Sequence, residues 1–426
     1  MREQLGLFET KPPERCLEPG SLAGELTDFV YDGRTTVVST TAAMAVDGRE
    51  VQVPTFTNEF WTSRQRAAHS LQEVSYRACF KPQLPRFFIE RLTEAGACVF
   101  DPFMGRGTTP LEAALLGRRP AGNDINPLSR VLVGPRLEPP DAASVDERLR
   151  RLDLSSSAES RGDLLAFFHP ETLSEICALR DYFLEGEAAG TLDPVDRWIR
   201  MVAVNRLTGH SPGFFSVYTL PPNQAVSVEG QLKINADRKQ VPPRRDVKHI
   251  IARKTKSLLL DCDAATRRTL SLGGRAPLLM VGPADHTPAL EDGSVDLVVT
   301  SPPFLDVVNY SADNWLRCWF CGVEAGAVNI TIAKRVDRWG DAMTRVLAEL
   351  HRVVRPGGHV AFEVGEVRAG TVKLEETVIP AAASVGFEPE LVLVNAQTFT
   401  KTANCWGVSN NQRGTNTNRV VVLRRG

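Results

Sequence analysis

Two stretches of this chain alternate short apolar runs with helical spacing, and the stretch between them does not. In the first, the apolar run Ala97–Phe100 stops at Asp101-Pro102, a turn with two glycines follows, and Thr108–Leu116 carries helical spacing closed by Gly117. A second short apolar patch then ends in GNDINP. The order strand, turn, helix, strand predicts the opening unit of a doubly wound sheet. The pattern resumes with strands at Pro277–Gly282 and Val295–Thr300, a helix over Asp341–Val354, and a strand in HVAFEVG after the turn RPGG. Two last strands are expected at Glu390–Ala396 and Arg419–Arg424.

Residues 163–270 instead run from an amphipathic stretch, VDRWIRMVAVNRLTG, through an aromatic and proline loop, HSPGFFSVYTLPPNQ, into a basic segment. Ahead of the helical PRFFIER at 85–91, only short β-leaning pieces such as Thr36–Ser39 and Val51–Val53 stand out, which reads as an irregular lead-in. The expected division is a lead-in over 1–74, a first α/β part over 75–136, an inserted subdomain over 137–274 and a second α/β part over 275–426. A chain of 426 residues is too long for one small core, which agrees with an insertion.

Composition narrows the setting. Fifty Lys and Arg against fifty-one Asp and Glu give a formal charge of -1, so any polyanion site must come from local clustering. The eight cysteines have no repeated spacing, no apolar run is long enough to cross a bilayer, and no export signal opens the chain. A cytoplasmic protein without membrane contact is expected. Cys318 and Cys321 form a C-x-x-C with no second pair and read as core cysteines, and the histidines show no ligand spacing, so no metal is expected.

The chemistry concentrates at two strand ends. Asp101-Pro102-Phe103-Met104-Gly105-Arg106-Gly107-Thr108-Thr109 opens a helix, where backbone N–H groups and glycines suit close approach of a nucleotide-like ligand. The dinucleotide and P-loop patterns are both unmet. Asp124 ends the next strand, either as a turn residue or as an acceptor for ribose hydroxyls. Thr300-Ser301-Pro302-Pro303-Phe304 follows a buried strand, and its two prolines either merely end that strand or hold Ser301 and Phe304 out of the sheet.

DPFMGRGTT followed later by TSPPF resembles the motif pair of the S-adenosylmethionine-dependent amino-methyltransferases that act on DNA bases. Ser in the first place of the second motif is similar to the cytosine-N4 branch; Asp or Asn is usual in the adenine-N6 branch. The flanks SYRACFKPQLPRFF, LLMVGPADHTPALEDGSVDLVVTSPPF and LHRVVRPGGHVAFEVGEV look alike as well. The resemblance implies a Rossmann-like, seven-stranded class I methyltransferase sheet with an inserted target-recognition subdomain. It also implies S-adenosylmethionine as cofactor, double-stranded DNA as partner, base flipping, and a companion restriction endonuclease in some settings.

Carried over by position, the resemblance places Gly105 and Gly107 beneath the methionine part of the cofactor and Asp101 near its amino group. Pro102, Phe103, Thr108 and Thr109 belong to the same loop, Phe80 to the segment that closes over it, Asp124 to the ribose and Asp285 to the adenine amine. Ser301, Pro302, Pro303 and Phe304 are the expected catalytic loop. An amine conjugated to its ring is a poor nucleophile, so acceptors at the Ser301 hydroxyl and the Pro302 carbonyl would draw its nitrogen towards tetrahedral geometry, with Phe304 stacked on the extruded base. Ring-carbon methylation would need a thiolate, and no cysteine follows a proline.

Residues 233–268 hold eleven Lys or Arg against four Asp, which points to phosphate contacts at Arg244, Arg245, Lys248, Arg253, Lys254 and Lys256, or to a solvated helix face. Just before them Arg206, His210, Phe214, Phe215, Tyr218, Asn223 and Gln224 read as base-readout or wedge residues, or as the insertion's own core. The amide-rich loop at 404–416 adds Trp406 and Asn410 as expected DNA contacts.

Overall fold

Runs of β-branched and apolar residues, most too short for a helix, assemble into one sheet of nine strands in the computed structural model. It describes residues 21–44, 48–62, 68–77, 79–155, 161–221, 224–271, 277–303, 310–327, 335–364, 366–367, 372–396 and 417–426. The strands are β1 Val37–Met44, β2 Glu50–Asn58, β3 Cys98–Asp101, β4 Arg119–Asp124, β5 Leu278–Val281, β6 Val295–Thr300, β7 Val354–Val364, β8 Phe387–Ala396 and β9 Thr417–Arg425. Their spatial order is β1-β2-β8-β9-β7-β6-β3-β4-β5. Only β1 and β9 run against the rest.

The seven strands from β3 onward form the expected methyltransferase sheet, and β1 and β2 extend it. Residues 37–58 are therefore not the irregular lead-in that their sequence suggests. Strand β2 lies parallel to β8, with Val392 opposite Thr55, and Asn395 locks the junction. The buried Asn395 Oδ1 accepts from the Phe60 N–H at 2.7 Å and the Trp61 N–H at 3.2 Å.

Alternation along the strands sends side chains to two cores. Val298 of β6 and Phe362 of β7 pack under helices α12 (Val336–Val353) and α13 (Glu375–Ser384), whereas Leu297, Val299 and Ala361 pack under α1 (Leu22–Asp28) and α2 (Gln83–Leu92). Helix α3 (Thr108–Leu115) follows β3, and α4 (Leu128–Leu137) follows β4.

The insertion is helical: α5 (Ala142–Arg151), α6 (Pro170–Ala188), α7 (Pro194–Val204), α8 (Val228–Arg238), α9 (Val247–Leu258) and α10 (Ala264–Ser271). Its core is continuous with α4 and with α11 (Tyr310–Phe320), so Trp198 and Phe215 share one apolar cluster with Val133, Cys318 and Cys321. The indole N–H of fully buried Trp198 donates to the Thr255 hydroxyl at 3.1 Å and ties α7 to α9. Among the described residues no helix is long and apolar enough to cross a membrane.

Candidate active site

Strand β3 is buried throughout and delivers Asp101 to the carboxyl edge of the sheet. Its Oδ1 accepts from the Phe103 N–H at 3.0 Å and the Thr300 hydroxyl at 2.7 Å, so the carboxylate ties the glycine loop to the end of β6. Burial pushes Asp101 up to about 7, against the hydrogen bonds it accepts.

The loop after Asp101 turns on two glycines in the left-handed region, Gly105 at φ +49° and Gly107 at φ +78°. A Cβ on Gly107 would stand 2.3 Å from Cγ2 of Val133. The loop thus lies flat against α4, and no other residue type fits there without movement. The Gly105 N–H donates to Asp124 Oδ2 at 2.8 Å, while Oδ1 of the same carboxylate accepts from the Asn126 N–H at 2.8 Å. Burial raises Asp124 above the usual carboxylate range, opposed by those two N–H groups and by Ser129.

Two buried arginines brace the loop from behind. Arg106 donates to the carbonyls of Val74 at 2.7 Å and Gln72 at 3.2 Å. Arg136 donates to the carbonyls of Leu132, Leu71 and Arg106, and burial lowers it to about 9. Segment 71–74 is thereby fastened to the glycine loop.

A cleft of about 1250 Å³, its open mouth included, lies in front of these groups. Of the residues expected at the cofactor, Phe80, Asp101, Pro102, Phe103, Gly105, Thr108, Asp124 and Asp285 line it. Gly107 and Thr109 do not. Gly107 is covered by Val133, and the buried Thr109 hydroxyl donates to the Val299 carbonyl at 3.0 Å, so both shape the wall from behind. Asp285 is exposed at the lip, 3.3 Å from Arg345. An adenosylated amino acid fits this cleft: a backbone without side chains at Gly105, carboxylates with remaining lone pairs at Asp101 and Asp124, and apolar walls from Phe80, Phe103 and Met343.

The cleft's other wall is the proline loop. Ser301 and Pro303 line it, and Pro302 is buried outside the lining. The indole N–H of Trp339 on α12 donates to the Pro303 carbonyl at 2.9 Å and fixes the loop. Behind Ser301, buried Glu363 on β7 accepts from the Asn418 amide at 3.0 Å. Burial raises the Glu363 carboxyl, opposed by hydrogen bonds from the Ser301 and Asn418 side chains. Sequence reasoning missed Trp339 and Glu363, which lie on a helix and a strand without any motif. Phe304, Asn223, Trp406 and Asn410 lie outside the described residues.

The basic segment is placed otherwise than its composition suggests. Arg244 is held by Glu171 at 2.7 Å and Glu175 at 2.6 Å, Lys254 by Glu73 at 3.3 Å and Lys256 by Asp146 at 3.6 Å. Lys248 donates to the Leu152 carbonyl at 2.5 Å, and the Arg245 N–H donates to the Thr172 hydroxyl at 2.8 Å. Acids elsewhere in the fold pair with three of the six expected contacts, Arg245 and Lys248 are half-buried, and only Arg253 is exposed without an ion pair among the described residues. Phe214 and Phe215 are buried, as core rather than wedges.

Comparison with known proteins agrees with this geometry. A DNA methylase family model of the N6/N4 type matches residues 34–129. The Type II methyltransferase M.BsoBI of Geobacillus stearothermophilus is 22% identical over 276 residues, 59% of this chain and 52% of that protein. The Type II methyltransferase M.MjaII of Methanocaldococcus jannaschii is 31% identical over 77 residues, 18% of this chain and 14% of that one. The match thus spans about half the length of the first relative and less of the second. A crystal structure of an S-adenosylmethionine-dependent methyltransferase from Methanosarcina mazei aligns with 79% of this chain and 96% of its own, at 11% identity and a TM-score of 0.31. The family-model match begins beside β1 and runs through the glycine loop into α4, the stretch that contributes Asp101, Gly105 and Asp124 to the cleft.

Proposed function

We propose that this chain methylates the exocyclic N4 amine of cytosine in double-stranded DNA. The observation that carries the reading is Ser301 on the cleft wall, at the strand end beside the Asp101–Gly105 loop and backed by Glu363. With its O–H directed at the Glu363 carboxyl, the Ser301 oxygen keeps its lone pairs for an amine N–H. Such an acceptor draws the amine nitrogen out of conjugation and aims its lone pair across the cleft. S-adenosylmethionine, when bound, supplies the electrophilic methyl. The base must leave its stack to reach this wall, which supports base flipping. The relatives' description as Type II methyltransferases supports a site-specific modification enzyme with a companion endonuclease; in this proposal the insertion over 137–274 is the part that recognises the target.

The test is mass spectrometry of nucleosides from unmethylated duplex DNA incubated with the protein and isotope-labelled S-adenosylmethionine. Labelled 4-methylcytosine is the expected product; labelled 6-methyladenine in its place would overturn the assignment. Ser301→Ala is expected to lower the turnover rate by about 10²–10³-fold while cofactor affinity, read by calorimetry, stays unchanged. Trp339→Phe keeps the ring and loses one hydrogen bond to Pro303, so a fall in rate of about five-fold is expected, corresponding to about 1 kcal/mol. An unaltered rate would show that the proline loop holds itself.

A further inference from the structure

Two arginines of the insertion, Arg206 and Arg253, meet at the loop that carries Gly213 and Phe214. The guanidinium of Arg206 lies 4.0 Å from the centre of the Phe214 ring, and its Nε donates to the neighbouring Asn205 carbonyl at 2.8 Å. Arg253 packs against Gly213 of the same loop, where a Cβ would come 3.0 Å from its Nη2. Among the described residues neither arginine forms an ion pair. The acid nearest to hand, Glu73, is engaged by Lys254 at 3.3 Å and by the Ser257 hydroxyl at 3.4 Å.

Like charges are thus gathered with little compensation. Burial lowers Arg206 to about 10, and Arg317 and Arg253 add to the effect. Arg317, 7% exposed, continues the cluster towards the cleft: its guanidinium carbon lies 5.9 Å from the ring of Tyr76, a cleft-lining residue. Arg77, also on the cleft wall, pairs with Asp313 at 2.8 Å. Bringing cations together in partly dry surroundings costs free energy that an incoming anion offsets. An arginine guanidinium is a planar fork of N–H donors, the shape that matches two non-bridging phosphate oxygens.

We propose that Arg206 and Arg253, with Arg317 behind them, form a clamp for a phosphodiester of duplex DNA beside the target nucleotide. The clamp rests on the DNA reading above and adds to it the place where the backbone is held. It also replaces the basic segment as the source of phosphate contacts, Arg253 excepted.

The experiment is fluorescence-anisotropy titration of a short random-sequence DNA duplex across a salt series. The proteins are the wild type, Arg206→Gln, Arg253→Gln and, as a control, Arg244→Gln, whose side chain is already held by two glutamates. Each clamp variant is expected to lower the slope of log affinity against log salt by about 0.9. The wild type's advantage over it should therefore shrink about 3.5-fold between 50 and 200 mM salt. Arg244→Gln is expected to keep the wild-type slope. Arg253 is exposed, so its variant tests the clamp even if Arg206→Gln folds poorly. Wild-type binding with the slope unchanged in Arg253→Gln would overturn the clamp and leave the DNA reading standing. Wild-type binding to single-stranded RNA of the same sequence but not to the duplex, or to neither, would overturn both.

Discussion

Gly107→Ala is expected to destabilise the folded chain by about 2–5 kcal/mol and to abolish cofactor binding. Two costs add. A left-handed backbone carrying a Cβ costs about 1–2 kcal/mol, and forcing a methyl into the packed Val133 contact costs about 1–3 kcal/mol more. They separate in a double-mutant cycle, because Val133→Ala opens the space without changing φ. Urea unfolding of the two single variants and the pair should show a favourable coupling of about 1–3 kcal/mol. Additive effects would mean that the loop moves away from α4 rather than pressing on it. Wild-type stability of Gly107→Ala would refute both costs.

The second large effect is a pH dependence seated at Asp101. Its folded pKa of about 7 lies above the ordinary aspartate value of about 3.9. Between those values the folded carboxyl holds its proton and the unfolded one has lost it, so the folded state binds more protons. Stability from this group is therefore full below about pH 4, falls as pH rises to about 7, and is flat above. The full difference is up to about 4 kcal/mol. Asp101→Asn keeps an oxygen for the Phe103 N–H and the Thr300 hydroxyl and removes the titration. Thermal melts at acid and mildly alkaline pH should show the variant gaining on the wild type as pH rises; parallel curves would place the dependence elsewhere.

The parts of this molecule that the sequence makes legible are those where neighbouring residues decide the geometry. Asp101 to Thr109 and Thr300 to Pro303 each combine a strand end with glycines or prolines, and the structure puts both loops on one cleft. Trp339 and Glu363 have no such local signal, because their reach to the Pro303 carbonyl and to Ser301 depends on how α12 and β7 pack. The basic segment misleads for the same reason. Its partners Glu73, Asp146, Glu171 and Glu175 lie on other elements, so counting charges along one stretch cannot see the neutralisation.

Strand β2 is obscured by Pro54, which argues against a strand in the middle of a sheet. The ladder to β8 starts at Thr55, just beyond that proline, so the missing N–H removes no hydrogen bond from it. The fold class was open to local reading; the place of the β1–β2 hairpin was not, since β1 pairs only with β2 and the strand that receives β2 is the distant β8.

That distance bears on how the molecule is made. The contact between the Phe60 N–H and Asn395 Oδ1 joins residues 335 apart, and the parallel pairing of β2 with β8 spans nearly the same interval. During synthesis the β1–β2 hairpin emerges well before β8, and its inner edge has no partner until the intervening residues have been made. Closing so long a loop is slow, and an unpaired strand edge is a template for association with other chains. Docking of this hairpin therefore waits on β8, and its edge is open to misassembly in the interval before β8 arrives.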